Sequence, residues 1–182
     1  HLNYRTVVMK IDEYRMATAN NAPELVDLIN NSYRPIDSVA GWTHESGLIE
    51  GQRINHQQLI DLLERDGSTI LLGLSKDEIV ACVNINEEAG VIYLAMLTVN
   101  PSYQNFGFGK EMLQLAEEYA KNQYESSVFN LFVISERKEL YDFYLRRGYQ
   151  STGITSDYPA NAGAGIPKIA GLKLVLLTKQ IS

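Results

Sequence analysis

The chain is poor in several residue types that would announce a function. It holds one cysteine, Cys82, among 182 residues. That excludes an internal disulfide and fits a reducing compartment such as the cytoplasm. Cys82 lies in the run Ile79-Val80-Ala81-Cys82-Val83, the setting of a buried packing thiol and not of a nucleophile. The three histidines, His1, His44 and His56, have no metal-ligand spacing, so no metal is expected. Positive charge is also scarce. The 16 Lys and Arg are outnumbered by 22 Asp and Glu, for a net charge of −6. Such a chain repels polyanions, so nucleic acid and anionic membranes are poor partners. No apolar run approaches a membrane span, and no stretch has signal-peptide anatomy. A cytoplasmic location is the expectation.

What is present suffices for one domain with a real core. The apolar share is 45%, ordinary for a globular protein. We read residues 9–182 as a single domain. Residues 1–8 precede Met9 as an N-terminal extension or an expression remnant. Asn21-Ala22-Pro23-Glu24 is a helix start, and Leu25, Leu28, Ile29 and Ser32 follow at helical spacing. Asn55 and Gln58 have capping-box spacing for a second helix with Leu59, Leu62 and Leu63 on its apolar face. Strands are predicted over 69–74, 78–86 and 91–99, joined by tight polar turns, as an antiparallel meander. A helix after Gly107 places Met112, Leu113, Ala116, Tyr119 and Ala120 on one face. Glu111, Glu117, Glu118 and Lys121 fall on the other. A buried strand over 128–134, a short helix over 137–147 ended by Gly148, and strands near 150–155 and 172–178 complete the pattern. Because a helix intervenes, the strand at 128–134 can run parallel to the one ending at Val99.

The richest segment reads Leu97-Thr98-Val99-Asn100-Pro101-Ser102-Tyr103-Gln104-Asn105-Phe106-Gly107-Phe108-Gly109-Lys110. A strand, a glycine-bearing turn and a helix start make an anion site, because unpaired N–H groups and the helix dipole favour negative charge there. A Walker A loop is excluded: Gln104 stands where its first glycine belongs, and Glu111 where its hydroxyl belongs. A dinucleotide fingerprint is disfavoured, because Met112 replaces the third glycine and antiparallel hairpins precede the loop. The pattern Q/R-x-x-G-x-G/A of acyl-CoA loops is matched by Gln104-Asn105-Phe106-Gly107-Phe108-Gly109.

On these residues the segment resembles the central motif of the GNAT superfamily of N-acetyltransferases. The stretch Glu139-Leu140-Tyr141-Asp142-Phe143-Tyr144-Leu145-Arg146-Arg147-Gly148-Tyr149 is similar to that superfamily's late helix, with Tyr144 four residues before Gly148-Tyr149. The resemblance implies an α/β fold: a mixed, largely antiparallel central sheet flanked by about four helices and split beside the acyl-CoA loop. It implies direct transfer of an acetyl group from acetyl-CoA, as co-substrate, to a primary amine of a small molecule or peptide. A homodimer is compatible with it. A non-catalytic acyl-CoA-binding or sensing protein is the alternative, and use of a longer acyl-CoA is another.

The same resemblance assigns roles. Backbone N–H groups from Gln104 through Asn105, Phe106, Gly107, Phe108, Gly109 and Lys110 would hold the CoA pyrophosphate. Pantetheine would lie along Leu97, Thr98 and Val99 like an added strand, with the Leu97 N–H facing the acetyl oxygen. Tyr144 is the candidate acid at the CoA sulfur, and Tyr141, one turn earlier, a weaker candidate for lining the site. The base is missing. The strand Val91-Ile92-Tyr93-Leu94-Ala95-Met96 offers no carboxylate or imidazole. Deprotonating a lysine-type amine at pH 7 costs about 4–5 kcal/mol, but an α-amine only about 1 kcal/mol. A low-pKa amine or a water relay is therefore the easier case, with His44, Glu45, Glu50 and Glu87 as relay candidates. The irregular segments 35–53 and 156–170 are expected to border the acceptor through Trp42 and Tyr158, with Tyr93 of the strand 91–99 as a further contact. Arg53 and Arg137 could grip a carboxylate or form structural ion pairs.

Overall fold

The structure, a computed structural model, describes residues 9–34, 47–104, 106–159 and 162–181. Element order is β1 (Glu13–Met16), α1 (Ala22–Tyr33), β2 (Ile49–Glu50), α2 (His56–Glu64), β3 (Ser68–Ser75), β4 (Glu78–Glu88), β5 (Val91–Val99), α3 (Phe108–Tyr124), β6 (Val128–Ile134), α4 (Lys138–Arg146), β7 (Gln150–Asp157), β8 (Ile166–Pro167) and β9 (Lys173–Gln180). Seven strands form one sheet in the order β1-β3-β4-β5-β6-β9-β7, and β2 pairs with β8 apart from it. Every pairing in the large sheet is antiparallel except β5 with β6. The mixed, largely antiparallel sheet with four α-helices among the described residues is the expected fold.

Alternation along the strands builds two cores, because successive side chains point to opposite faces. In β3, Ile70, Leu72 and Leu74 join Leu25, Ile29 and Tyr33 of α1 and Leu59 of α2. Leu71 faces the other way, into a larger cluster with Met112, Leu113 and Ala116 of α3 and Leu140 and Tyr144 of α4. The α1/α2 pair thus covers one face, and α3 with α4 the other. Each helix is cut where its sequence says. The Asn55 side chain accepts from the Gln58 N–H and the Gln58 side chain from the Asn55 N–H, both at 2.8 Å.

One expected surface position is buried. Glu117, assigned above to the polar face of α3, is only 5% exposed. Both its carboxylate oxygens accept from Lys179 Nζ of β9, at 2.8 and 3.0 Å, and Tyr149 O–H lies 3.5 Å away. Helical periodicity placed it one step beyond the apolar stripe, but a cation arriving from a distant strand lets the carboxylate go inside. Burial still pushes this carboxyl above its ordinary pKa, with Lys179 pulling it back. The described parts of the segments 35–53 and 156–170 are also less irregular than expected. Their ends meet in the β2–β8 pair, Ile49 opposite Pro167 and Glu50 opposite Ile166.

The sheet is split at its parallel joint. β5 and β6 pair only at Ile92–Phe129 and Tyr93–Asn130. Beyond that, β6 stays tied to β9 along its whole length, while β5 departs. The cause is a bulge. Cys82 pairs with Thr98 but Asn84 with Ala95, so Met96 and Leu97 stand opposite the single residue Val83. Met96 takes a left-handed backbone, φ 52°, unfavourable for a non-glycine side chain by about 1–2 kcal/mol. An extra residue bends and twists its strand. The second half of β5 therefore swings away from β6, leaving a V-shaped opening.

Candidate active site

The glycine-bearing loop after β5 ends where α3 begins. Gly107, with φ 77°, is the N-cap of α3, and no side chain caps the helix. The first-turn N–H groups have no intrahelical acceptors, so this end can take an anion. Phe108 and Gly109 are buried, whereas Phe106 and Lys110 are exposed. Phe108 is anchored by the rings of Tyr103 and Phe106, at centroid distances of 6.5 and 5.9 Å, which fixes the helix start against the sheet.

Upstream, the ladder decides which backbone groups reach the opening. Asn100 N–H donates to Val80 O at 2.8 Å, and Thr98 pairs with Cys82. Alternation then turns the N–H and C=O of Leu97 and Val99 away from β4, toward the split. Their carbonyls bear this out. Leu97 O accepts from Tyr33 O–H at 2.9 Å. Val99 O accepts from Ser32 O–H and from the Gln104 side-chain amide, each at 3.2 Å. An extended amide-bearing chain laid in the split would meet a strand edge with outward-facing N–H groups. Thr98 is turned inward, its hydroxyl donating to Met96 O at 2.8 Å.

The split holds a cavity of about 300 Å³. Its walls come from both sides of the sheet: Leu140 and Tyr144 from α4, Tyr33 from α1, Met96 from the bulge, and Tyr158 and Ala164 from the late loop. It runs through the sheet and does not merely indent one face. Tyr144 is 7% exposed and packs edge-on against Tyr149 at 5.7 Å. Its hydroxyl makes no hydrogen bond among the described residues. Burial, with a smaller push from Tyr33, raises its pKa, against the pull of Arg137. The phenol stays protonated at any ordinary pH.

Two cations enter the same space. Arg53 and Arg137 line the cavity, and each guanidinium lies near the Tyr33 ring, at 5.8 and 6.0 Å from its centroid. No Asp, Glu or His lines the cavity among the described residues. Glu87 is instead occupied in the β4–β5 turn, accepting from Gly90 N–H at 2.9 Å, and Glu50 is exposed on β2.

The late loop is held by Arg34. Its guanidinium donates to Gly51 O at 2.6 Å, Ala164 O at 2.7 Å and Tyr158 Oη at 3.3 Å. Tyr158 O–H in turn donates to Ala164 O at 3.0 Å. Gly165, at φ 100°, passes so close that a Cβ there would lie 2.5 Å from Arg34 Nη1. Ser32, Tyr33 and Arg34 thus link β5 to the segment at Gly51 and to the late loop from one helix end.

Of the residues expected to form the site, Tyr144, Tyr93 and Tyr158 line the cavity. Leu97, Thr98, Val99 and Gln104 sit on its strand or just beyond it. Tyr141 packs at the margin of the α3/α4 core, outside the cavity wall. Trp42, His44, Glu45 and Asn105 lie outside the described residues. Sequence reasoning missed Tyr33 and the bulge. Tyr33 follows Ile29 by four positions, so it was readable as the last step of the α1 apolar face. The bulge has neither glycine nor proline to mark it.

Cys82 is 1% exposed, and burial pushes its thiol up to about 12; it is the packing residue expected. Among the described residues no cluster of His, Cys, Asp and Glu could hold a metal ion. No helix among them is long and apolar enough to cross a membrane.

Known proteins share this arrangement. The profile of the acetyltransferase (GNAT) family matches residues 25–149. An S-alkylcysteine N-acetyltransferase of Bacillus subtilis (strain 168) is 29% identical over 147 residues, covering 78% of this chain and 80% of that protein. The ribosomal-protein-S18-alanine N-acetyltransferase of Escherichia coli superposes with a TM-score of 0.69 at 10% identity, over 93% of this chain and 94% of that one. The PaiA N-acetyltransferase of Thermoplasma acidophilum, solved in complex with coenzyme A, superposes with a TM-score of 0.65 at 16% identity, over 93% and 98%. The sensing alternative finds no support in these matches. The chain belongs to the GNAT acetyltransferase family and is an acetyl-CoA-dependent N-acetyltransferase.

Proposed function

We propose that the enzyme acetylates the α-amine of a small amino acid of the S-substituted cysteine type, with Tyr144 returning a proton to the CoA sulfur. The carrying observation is the cavity through the sheet. It joins Tyr144 on the α3/α4 side to Tyr33 and Arg53 on the α1/α2 side within about 300 Å³, at the small end of ligand sites. The relative's acceptor, named in its description, supports this class. So does the lack of a carboxylate or imidazole in the described lining, because an α-amine needs little help to shed its proton.

Acetyl-CoA supplies the acetyl thioester. The first-turn N–H groups of α3 hold its pyrophosphate, and the outward N–H groups of Leu97 and Val99 align its pantetheine amides. Leu97 N–H then faces the thioester oxygen, where a donor lowers the barrier as charge develops. The neutral amine comes from the α1/α2 side. A C–N bond forms and the C–S bond breaks. The departing sulfur takes the Tyr144 proton, the nitrogen loses its surplus proton to water, and water returns a proton to Tyr144. Burial keeps Tyr144 protonated, so a proton is at hand beside the sulfur, although the same burial makes the phenol a weaker acid.

The test is an amine panel with acetyl-CoA, followed by free-thiol release. S-alkylated cysteines should release thiol at least about tenfold faster than lysine side chains, polyamines or aminoglycosides. Equal or faster release with polyamines or aminoglycosides would replace the proposed acceptor class.

A further inference from the structure

Among the described residues the cavity is lined by two cations and by no acid. Arg53 and Arg137 reach into it from the segment before α2 and from the N-cap of α4, and both sit within about 6 Å of one tyrosine ring. Arg53 makes no ion pair among the described residues. Its backbone is fixed independently, its N–H donating to Asn30 Oδ1 at 2.9 Å, so the side chain is free to serve the cavity. The chemistry wanted there is a carboxylate, which a guanidinium binds through paired N–H donors.

We infer that Arg53, with Arg137 as second cation, forms the docking site for the acceptor's carboxylate and selects free amino acids over amines and blocked acids. The inference rests on the proposed amino-acid acceptor and adds its recognition element. Placement makes it specific. Tyr33 O–H holds Leu97 O, and the same ring carries both cations, so an acid docked there presents its α-nitrogen toward the bulged strand. The apolar substituent is left to the hydrocarbon of Leu131, Leu140 and Leu174. The clamp also acts on the amine. Arg53 and Arg137 both disfavour an ammonium beside them. Among the described residues, the other titratable groups facing this space are the phenols of Tyr33, Tyr93, Tyr144 and Tyr158. The cations that fix the carboxylate thereby ease the missing base's task.

Binding, not turnover, is the decisive readout. S-benzylcysteine and its carboxamide are titrated calorimetrically into the CoA-loaded protein, with wild type, Arg53→Gln and Arg53→Lys. The acid should bind about 10–100-fold tighter than the carboxamide, the span of a charge-assisted hydrogen bond. Arg53→Gln should abolish that ratio and Arg53→Lys restore part of it, while CoA affinity, which reports an intact fold, stays unchanged. Equal binding of acid and carboxamide to wild type, no binding of either, or a ratio untouched by Arg53→Gln would overturn the inference. Selective, Arg53-dependent binding without thiol release would support the carboxylate site and overturn only the transfer chemistry assigned to Tyr144.

Discussion

The hydroxyl of Tyr33 donates to the carbonyl oxygen of Leu97 at 2.9 Å, joining the end of α1 to the strand that bends away from the sheet. Without it, a buried carbonyl at the mouth of the split would lack this partner, and the second half of β5 would lose a tether. Tyr33→Phe removes only the donor. Unfolding in urea should show a loss of about 1 kcal/mol, the usual net value of one hydrogen bond. An unchanged midpoint would mean that this bond adds nothing to the hold on the strand.

The buried carboxylate of Glu117 depends on Lys179 in a similar way. Lys179→Met leaves that charge inside without its partner and should destabilise the fold by about 3 kcal/mol. The double variant Glu117→Leu, Lys179→Met should recover most of the loss. Denaturant titration of the three proteins checks this; if the double variant is as unstable as the single one, packing and not charge is at fault.

These residues show which parts of the structure could be read in advance. Local patterns were legible: the Asn55–Gln58 cap, the alternation in β3 and β4, and the glycine that starts α3. Each is decided by neighbours in sequence. Glu117 was misplaced because its partner lies 62 positions away, and a helical period cannot register a cation from another element. The β2–β8 pair escaped notice for the same reason. The site followed this division. The loop and Tyr144 were singled out by motif and spacing, and Tyr144 falls on the cavity wall. The through-sheet cavity needed the bulge at Met96, which no residue type announces, and the convergence of Tyr33, Arg53 and Arg137 from three separate segments.

Cys82 offers a probe of the core. With its thiol pushed up to about 12, the thiolate fraction at pH 8 is about one in ten thousand. Alkylating reagents should leave it untouched in the folded enzyme and label it fully in denaturant, with no loss of activity under native conditions. Because the thiol's ordinary value is 9.0, the unfolded chain ionises first. The stability tied to Cys82 is complete below pH 9 and falls as pH rises toward 12. Fast native labelling at pH 8 would contradict this burial.

The pH dependence of transfer separates acid from amine. The rate with limiting acceptor should rise with pH as the α-amine loses its proton, then level off. Burial raises the Tyr144 pKa, so a phenol acting as acid stays protonated and no descending limb should appear below about pH 10. A fall centred near pH 8 would assign the acid to another group.

Transfer through Tyr144 is tested most directly by following released thiol and N-acetyl product together, with an S-alkylated cysteine as acceptor, for wild type and Tyr144→Phe. Wild type should yield the two in equal amounts. Tyr144→Phe should lower kcat about 100-fold while the Kd of acetyl-CoA stays within about twofold. An unchanged kcat in Tyr144→Phe, or tight acetyl-CoA binding by wild type with no acceptor-dependent product, would contradict it.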